Sequence, residues 1–469
     1  MRAPGQSAQL ASKREQAANV LLAMIFVLAL PLALASSPRI FNDGDVSWHI
    51  AAGEWILRHG EIPTTDPFSY TALGQPWVVT EWLADAIFGL AYRVASYSGV
   101  SAIVGAALVA LHAMIYFYLE RRVSPIATAA SLLVMDFVLI PFALARPHVL
   151  VWPLLAAWTI LLLQADEEER APPLWGALIL PVWTNMHGSF LVAGPIGAAI
   201  AFDALQKTRW RNWRQWMLFG LVSAVGMLLN ANGVRGLLRP FEMENLAILP
   251  LVQEWQPSTL QWMPQFYAAL GIGLFAMLYK GVRVPAGRLV LLLFLAGLAF
   301  SQVRHQSWFV IVAACVVPPL LAVQTSQAPG RAWLAFAAIP LLLARALWPI
   351  TPAENAANPR HLMAAVPDSL RAQRMFNGYT FGGPMILAGM RPYIDGRADM
   401  YGDAFVLDYS RIMDGDVGRF EAAMRRYGIR WAVLPTNSVL NQALDKSQAW
   451  RRIYADRVGT IHVRQEGKR

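Results

Sequence analysis

Long apolar runs alternate with short polar segments along the first three quarters of the chain. A helix of about 20 apolar residues crosses the roughly 30 Å of hydrocarbon in a bilayer. Runs near that length lie at residues 17–36, 99–119, 123–141, 148–164, 173–186, 189–206, 215–231, 264–280, 288–303, 308–325 and 332–350. The pattern predicts an α-helical polytopic membrane protein with about eleven transmembrane helices. Because the run at 173–186 is short, residues 173–206 are two spans, one tightly turned hairpin or a partly re-entrant element.

The last 119 residues differ from this pattern because they are richer in charge. Residues 1–350 contain 40 charged side chains and residues 351–469 contain 29, so the charged fraction rises from about 11% to about 24%. We place a domain boundary near Pro349–Pro352, between a transmembrane domain with a long first loop at 37–82 and a small α/β domain. The strands and the helix of this second domain are predicted at 430–434, 459–463 and 417–427.

The composition excludes several classes of protein. Hydrophobic residues make up 56% of the 469 residues and charged residues 15%, with a mean hydropathy of +0.40, which excludes a soluble enzyme. The single cysteine, Cys315, excludes a disulfide framework and a cysteine-based zinc site. The net charge of +9 indicates basic cytoplasmic loops, and no nucleic-acid partner is predicted.

The distribution of basic residues predicts the orientation, because cytoplasmic loops are enriched in lysine and arginine. With a cytoplasmic N-terminus and eleven crossings, one side of the membrane holds Arg2, Lys13, Arg14, Arg121, Arg122, Arg170, Lys207, Arg209, Arg211, Arg214, Lys280, Arg283, Arg288 and Arg331. We therefore predict a multi-pass protein of the cell (inner) membrane whose first loop and C-terminal domain are extracytoplasmic. In a second reading, residues 18–35 are a cleavable signal peptide, which leaves the other loops on the same sides.

Ionisable residues collect at the extracytoplasmic boundary of this topology. The first loop contributes Asp43, Asp45, His49 and Glu81. Four later connections contribute Arg146, His148, Asn185, His187, Glu254, Arg304 and His305. Taken alone, each has an ordinary explanation, since an arginine can contact lipid head groups and a histidine can pack in a core. Because ionisable groups at membrane depth are costly, their agreement across loops predicts one functional site.

Other polar segments have both a structural and a functional reading. Residues 42–45 are also typical of a solvated turn before a short interfacial helix. Asp136, inside a predicted span, is either one half of a structural pair or a residue that supports the site. Residues 393–402 fit a pair of tight turns better than an acceptor-binding surface. The glycines at 378–383 lack the spacing of a phosphate-binding loop, so no nucleotide substrate is predicted.

The first loop resembles that of the C-type glycosyltransferase superfamily, polytopic enzymes that take a sugar from a polyprenyl-phosphate carrier on the external membrane face. It is most similar to the branch of the lipid A aminoarabinose transferases and protein O-mannosyltransferases. Asp45 falls at the position of the family's essential aspartate, and His49 falls where the family often has tyrosine. The other matching residues are Ile56, Leu57, Gly60, Pro63, Pro76, Glu81, Trp82 and Leu83. Two positions depart from the family pattern, because Val46 replaces an acid and Gln75 replaces a phosphate-binding lysine.

The chain is also similar to uncharacterised bacterial membrane proteins of this type. The shared motifs are Trp48-His49, Asp66-Pro67-Phe68-Ser69, Arg146-Pro147, His187-Gly188 and Asp395-Gly396-Arg397. They come from the first loop, from later loops and from the tail, so this similarity extends over the whole chain.

The resemblance implies inverting transfer of a sugar from a polyprenyl-phosphate-linked donor in the membrane lipid to a glycolipid, polysaccharide or protein acceptor. It implies Asp45 as the general base, with Asp43 beside it in the catalytic site. The residues expected to bind the donor phosphate are Arg146, His148 and Arg304. The residues expected to orient the substrates are His49, Glu81, His187, Glu254 and His305. A divalent metal on Asp43 and Asp45 is left open, because hard cations take carboxylate ligands.

Two other functions compete with this interpretation. A carrier or flippase for a lipid-linked sugar is one, although such transporters bind their substrate near the bilayer midplane and are often built from inverted repeats. A non-catalytic assembly subunit of an envelope polysaccharide system is the other. We rank the carrier second because the ionisable residues line one membrane face and no internal repeat is evident. We rank the assembly subunit third because the arginines of the external domain permit it without supporting it.

Overall fold

Helices make up the whole transmembrane part in a computed structural model that describes residues 17–322 and 333–465. The first helices are α1 (Ala17–Ala35), α2 (Asp45–His59), α3 (Trp82–Leu119), α4 (Pro125–Leu139), α5 (Pro147–Glu167), α6 (Ile179–Thr184) and α7 (Ala193–Lys207). They are followed by α8 (Trp213–Leu228), α9 (Val234–Met243), α10 (Pro264–Tyr279), α11 (Ala286–Ser301), α12 (Gln306–Leu321) and α13 (Trp333–Leu347). Arg2, Lys13, Arg14 and Arg331, which contribute to the predicted orientation, lie outside the described residues.

Six helices in the described ranges are long and apolar enough to cross a membrane. They lie at Ala17–Ala35, Trp82–Leu119, Pro125–Phe142, Pro147–Glu167, Gly188–Lys207 and Val303–Leu321. Four shorter apolar helices lie at Leu174–Thr184, Pro264–Tyr279, Ala286–Ser301 and Phe336–Leu347. The chain is therefore a helical polytopic membrane protein, and the count of eleven crossings stays a prediction.

Proline and serine define where several of these helices begin. Pro125, Pro147 and Pro264 each occupy the first position of a helix, where the missing N–H group of proline costs no hydrogen bond. Ser124 caps α4 by accepting a hydrogen bond from the backbone of Ala127. Because α5 begins at Pro147, Arg146 occupies the N-cap position of that helix and has an extended backbone conformation.

Helices α2 and α3 cross at a very short distance, and this crossing positions side chains of the candidate active site. A Cβ atom on Gly53 would lie 1.8 Å from the carbonyl oxygen of Asp85, and one on Gly89 would lie 2.5 Å from the carbonyl carbon of Gly53. Only glycines allow the two backbones to approach this closely. The crossing brings His49 of α2 against Asp85 of α3.

Helix α3 begins at Trp82, 17 residues before the predicted span at 99–119. The additional N-terminal part lies between the first loop and a kink. Ala95 and Ser96 have non-helical backbone angles, and they separate an N-terminal part from the apolar C-terminal part. Near the middle of the apolar part, His112 Nε2 lies 2.8 Å from Asp136 Oδ1, and both side chains are buried. Asp136 is therefore one half of a structural pair between two spans, which is the first of the two interpretations that its sequence position allowed.

The C-terminal part contains a four-stranded sheet in the order β1-β2-β4-β3, in which β1 and β2 are parallel and the other pairs are antiparallel. The strands are β1 (Met375–Asn377), β2 (Trp431–Pro435), β3 (Trp450–Ala455) and β4 (Gly459–Arg464). The helices are α14 (Arg360–Ala364), α15 (Asp368–Arg371), α16 (Gly382–Leu387), α17 (Ala398–Tyr401), α18 (Asp403–Met413), α19 (Val417–Tyr427) and α20 (Val439–Lys446). Two apolar clusters cover this sheet, and one of them also includes Ile248 from the loop before α10.

Candidate active site

A cavity of about 680 Å³ lies between the first loop, the ends of several membrane helices and the C-terminal part. Nine of the ten predicted site residues line it: Asp43, Asp45, His49, Glu81, Arg146, His148, His187, Glu254 and Arg304. The tenth, His305, does not line it. Its Nδ1 atom faces the carbonyl oxygen of Leu298 at 3.3 Å, and its ring stacks against Trp308.

Arg146 is the centre of the charged half of the cavity. Its guanidinium lies 3.2 Å from Asp43, 3.0 Å from Asp45 and 3.0 Å from Glu254, so three carboxylates from two loops converge on one cation. Arg304 lies 3.7 Å from the other oxygen of Glu254 and 4.2 Å above the ring of Trp255. Although burial opposes ionisation, Arg146 and Arg304 hold the pKa of Glu254 down at about 2.

Asp45 is the carboxylate with the most altered proton affinity in this half. Burial raises its pKa to about 7, with Arg146 opposing the rise and the negative charges of Asp43 and Glu254 adding to it. The side chain keeps 22% of its surface exposed to the cavity. Asp43 Oδ1 accepts a hydrogen bond of 2.8 Å from the backbone of Asp45 and so fixes the start of α2. Asp45 is thus accessible and titrates near neutral pH.

A second polar cluster lies one helical turn along α2. His49 Nδ1 lies 2.7 Å from Asp85 Oδ1, and His49 Nε2 lies 3.8 Å from Glu81. His187 Nε2 lies 3.5 Å from the other carboxyl oxygen of Glu81. Burial lowers the pKa of both His49 and His187 well below the usual value and raises the pKa of Glu81 to about 7. The imidazoles are therefore neutral.

His148 lies between the two clusters. Its Nε2 atom is 2.8 Å from the carbonyl oxygen of Phe142, and its ring centroid is 6.2 Å from that of His187. Since Nε2 is engaged by the backbone, Nδ1 is the atom of His148 that remains for a ligand. Asn185, also predicted at this boundary, is not part of the cavity wall: its side chain bonds Trp82 and the backbone of Pro181 and Leu229.

The C-terminal part closes the cavity, which the sequence analysis missed when it favoured simple turns for residues 393–402. Tyr379, Gly396 and Asp399 line the wall. A Cβ atom on Gly396 would lie 1.8 Å from Asp45 Oδ1 and 2.9 Å from Trp48 Nε1. Only glycine permits this approach. The signal that could have found this wall is the motif Asp395-Gly396-Arg397 itself.

A buried ion cluster, the Arg397 clasp, holds this wall in place. Arg397 donates hydrogen bonds of 2.8 and 2.7 Å to the two oxygens of Asp395 and one of 2.7 Å to Asp66 in the first loop. Tyr401 donates a further hydrogen bond of 2.7 Å to Asp395, and the guanidinium lies 4.6 Å from the ring of Trp77. The clasp therefore joins the motif Asp66-Pro67-Phe68-Ser69 of the first loop to the motif Asp395-Gly396-Arg397 of the C-terminal part.

A metal ion was left open for Asp43 and Asp45, and the donor set does not favour one. The described parts of the chain contain no group of three or more His, Cys, Asp or Glu side chains arranged to hold a metal. Arg146 already binds both carboxylates. An ion held by the pair would have to displace its guanidinium.

The fold is shared with two solved membrane enzymes. ArnT from Cupriavidus metallidurans, in a structure bound to undecaprenyl phosphate, aligns over 95% of this chain and 98% of its own length at a TM-score of 0.53 and 12% identity. The Archaeoglobus fulgidus oligosaccharyltransferase in the apo form aligns over 87% of this chain and 69% of its own at 0.52 and 11%. The chain has a C-type glycosyltransferase fold. No family model and no curated protein matches the sequence. The predicted resemblance is thus confirmed for the fold.

We expect the Arg397 clasp to determine the stability of the C-terminal wall. Replacing Arg397 by Met keeps the aliphatic stem but leaves Asp66 and Asp395 buried without a cation, which should lower the free energy of unfolding by about 3–5 kcal/mol. Thermal unfolding in detergent and limited proteolysis would measure the change. Arg391→Met, at an exposed arginine of the same segment, is the control. Equal unfolding temperatures for the two variants would contradict the role of the clasp.

Proposed function

We propose that this chain is a membrane glycosyltransferase that moves a sugar from a polyprenyl-phosphate carrier to an extracytoplasmic acceptor. The observation that carries the proposal is the pairing, in one cavity, of a carboxyl group that titrates near pH 7 with two arginines. Asp45 supplies the base, and Arg146 and Arg304 supply the cations. The fold shared with ArnT, which was solved with undecaprenyl phosphate, supports the same class of donor.

The arginines suit a phosphate group because an anion already lies between them. The carboxylate of Glu254 is 3.0 Å from Arg146 and 3.7 Å from Arg304. We infer that this carboxylate stands where the donor phosphate binds, so the phosphate displaces it and takes over both guanidinia. Displacement by the phosphate assigns Glu254 the role of a competitor, which differs from the orienting role predicted from the sequence. His148 donates from Nε2 to the carbonyl oxygen of Phe142, so its Nδ1 atom is an acceptor and offers no hydrogen bond to a phosphate oxygen, which differs from the phosphate-binding role predicted from the sequence.

The proposed reaction is a single displacement with inversion at the anomeric carbon. The acceptor hydroxyl attacks that carbon as its proton moves to a carboxylate oxygen of Asp45. A bond forms between the acceptor oxygen and the anomeric carbon, and the bond from that carbon to the phosphate oxygen breaks with its electron pair. Arg146 and Arg304 stabilise the charge that builds on the leaving phosphate. The cations in this scheme are arginines, because Arg146 occupies the position between the acids.

The carrier and assembly-subunit alternatives fit the arrangement less well. A transporter binds its cargo near the midplane, at broken helices, whereas this cavity lies at the end of α4 and at the starts of α5 and α12. Basic residues such as Arg121, Lys207 and Lys280 follow the opposite ends of their helices. In the proposed orientation the cavity therefore opens on the extracytoplasmic face, and both domains, 1–350 and 351–469, contribute to it.

Replacing Asp45 by Asn should abolish transfer while the protein stays folded. The amide keeps the shape of the side chain but accepts no proton, and loss of a general base costs about 10²-fold to 10⁴-fold in rate. Release of polyprenyl phosphate from labelled donors, by protein in liposomes with membrane extract as the source of acceptors, would measure this. Asp414→Asn, at an exposed acid distant from the cavity, is the control. An unchanged rate in Asp45→Asn would rule out Asp45 as the base.

The rate of transfer should rise with pH across neutrality. Asp45 must be ionised to accept a proton, and its pKa of about 7 lies above the usual 3.8. We therefore expect kcat/KM to increase between about pH 6 and pH 8 and then level off. The same rise should persist in Glu81→Gln, which removes the other carboxyl group that titrates near 7. A flat profile over this range would show that the base has an ordinary pKa.

Glu254→Gln should strengthen the binding of undecaprenyl phosphate. The amide has the same size but no negative charge, so it competes less well with phosphate for Arg146 and Arg304. We expect the Kd to fall by roughly 10-fold, or about 1.4 kcal/mol, in a binding assay with the protein in nanodiscs. Glu242→Gln, at an exposed residue of α9, is the control. Weaker binding in Glu254→Gln would restore the orienting role predicted from the sequence.

A further inference from the structure

Glu81 presents an unused hydrogen-bonding group to the cavity. Its carboxyl oxygens face His49 Nε2 at 3.8 Å and His187 Nε2 at 3.5 Å. Both distances exceed the 2.7–3.2 Å of a nitrogen-to-oxygen hydrogen bond. Within residues 17–322 and 333–465, no side chain donates a hydrogen bond to this carboxyl group. The hydrogen-bonding capacity of Glu81 is therefore directed at whatever enters the cavity.

Hydrogen bonds behind the two histidines engage Nδ1 of each ring and leave Nε2 facing the cavity. The backbone N–H of Ser189 donates to Nδ1 of His187 at 3.1 Å, so the proton of this neutral ring lies on Nε2. Asp85 engages Nδ1 of His49, so Nε2 is the ring nitrogen of His49 that faces Glu81 and the cavity. The cavity thus meets the N–H group of His187, the Nε2 atom of His49 and a carboxyl group within a few ångströms.

This set of groups fits neighbouring hydroxyl groups better than it fits an anion or a cation. A hydroxyl group can donate to Glu81 while it accepts from His187 Nε2–H, and a second hydroxyl group, which can either donate or accept, can bond His49 Nε2. A phosphate would be repelled by the Glu81 carboxylate, and an ammonium would meet the N–H group of His187. The chemistry of the cluster therefore favours a neutral polyol.

The position of the cluster relative to Asp45 matches the size of one sugar. Asp45 and His49 are four residues apart on α2, so their Cβ atoms lie about 5–6 Å from each other on one face of the helix. A ring whose anomeric carbon lies near Asp45 can reach His49 and Glu81 with the hydroxyl groups on its far side. The arginines then remain free for the phosphate.

We propose that Glu81, His49 and His187 form the subsite that binds hydroxyl groups of the transferred sugar and so select the donor. The inference rests on the proposed transferase function. Asp85 and Ser189 are positioning residues, because they act on the sugar only through the imidazole rings that they orient. Trp48, whose ring centroid lies 3.6 Å from that of His49, lines the cavity beside the subsite.

The test compares Glu81 variants across donors that lack single hydroxyl groups. Full-length wild type, Glu81→Gln and Glu81→Ala are assayed in liposomes with the polyprenyl-phosphate sugar that wild type uses best and with each of its monodeoxy analogues. Glu61→Gln, at an exposed acid of the same loop, is the matched control. Binding of undecaprenyl phosphate with wild-type affinity identifies variants that remain folded.

We expect Glu81→Ala to lower kcat/KM for the parent donor by roughly 10-fold to 100-fold, since a hydrogen bond to a charged group is lost. For the analogue that lacks the contacted hydroxyl group, Glu81→Ala and wild type should be equal, and Glu81→Gln should show a smaller loss than Glu81→Ala for the parent. An equal loss for every donor, or none, overturns the subsite but not the transferase. If wild type transfers sugar from no polyprenyl-phosphate donor, both proposals fall.

Discussion

The ion pairs of Arg146 are the interaction on which the cavity depends. Three carboxylates would repel one another if they shared a partly buried space without a cation, and Arg146 removes that repulsion by contacting Asp43, Asp45 and Glu254. The same contacts join the first loop, the start of α5 and the loop that holds Glu254. Because one guanidinium bonds to all three acids, the charge state of any of them affects the others, and Asp45 keeps a raised pKa even beside a cation.

A second arginine, Arg397, holds the C-terminal wall of the cavity in place through buried ion pairs. Arg397 is fully buried with Asp66 and Asp395, so its charge is balanced inside the protein and not by solvent. Burying such a cluster contributes little net stability but makes its geometry hard to change, because each partner left alone would be an uncompensated buried charge. This rigidity is what allows Gly396 to lie against Asp45.

Much of the site could be predicted because helix ends bring polar residues to one face of a membrane, whatever the details of packing. Arg146 and His187 follow from that rule alone. His305 does not, because it follows Arg304 by one residue in a 3-10 turn, where successive side chains point about 120° apart. The contact of Arg397 with Asp66 joins residues 331 positions apart, which no local pattern encodes. The early start of α3 was missed because its first part is too polar to resemble a span.

The two polar clusters divide the cavity by charge, and α2 connects them. At the start of its first turn, Asp45 contacts the guanidinium of Arg146, which together with Arg304 suits a phosphate. One turn later, His49 meets Glu81 and His187, which suit hydroxyl groups. A donor that carries a phosphate on its anomeric oxygen and hydroxyl groups on the rest of its ring has the same polarity. A single helix can therefore orient the donor with its anomeric carbon at the base, since reversing the sugar would bring the phosphate against Glu81 and leave both arginines without an anion from the substrate.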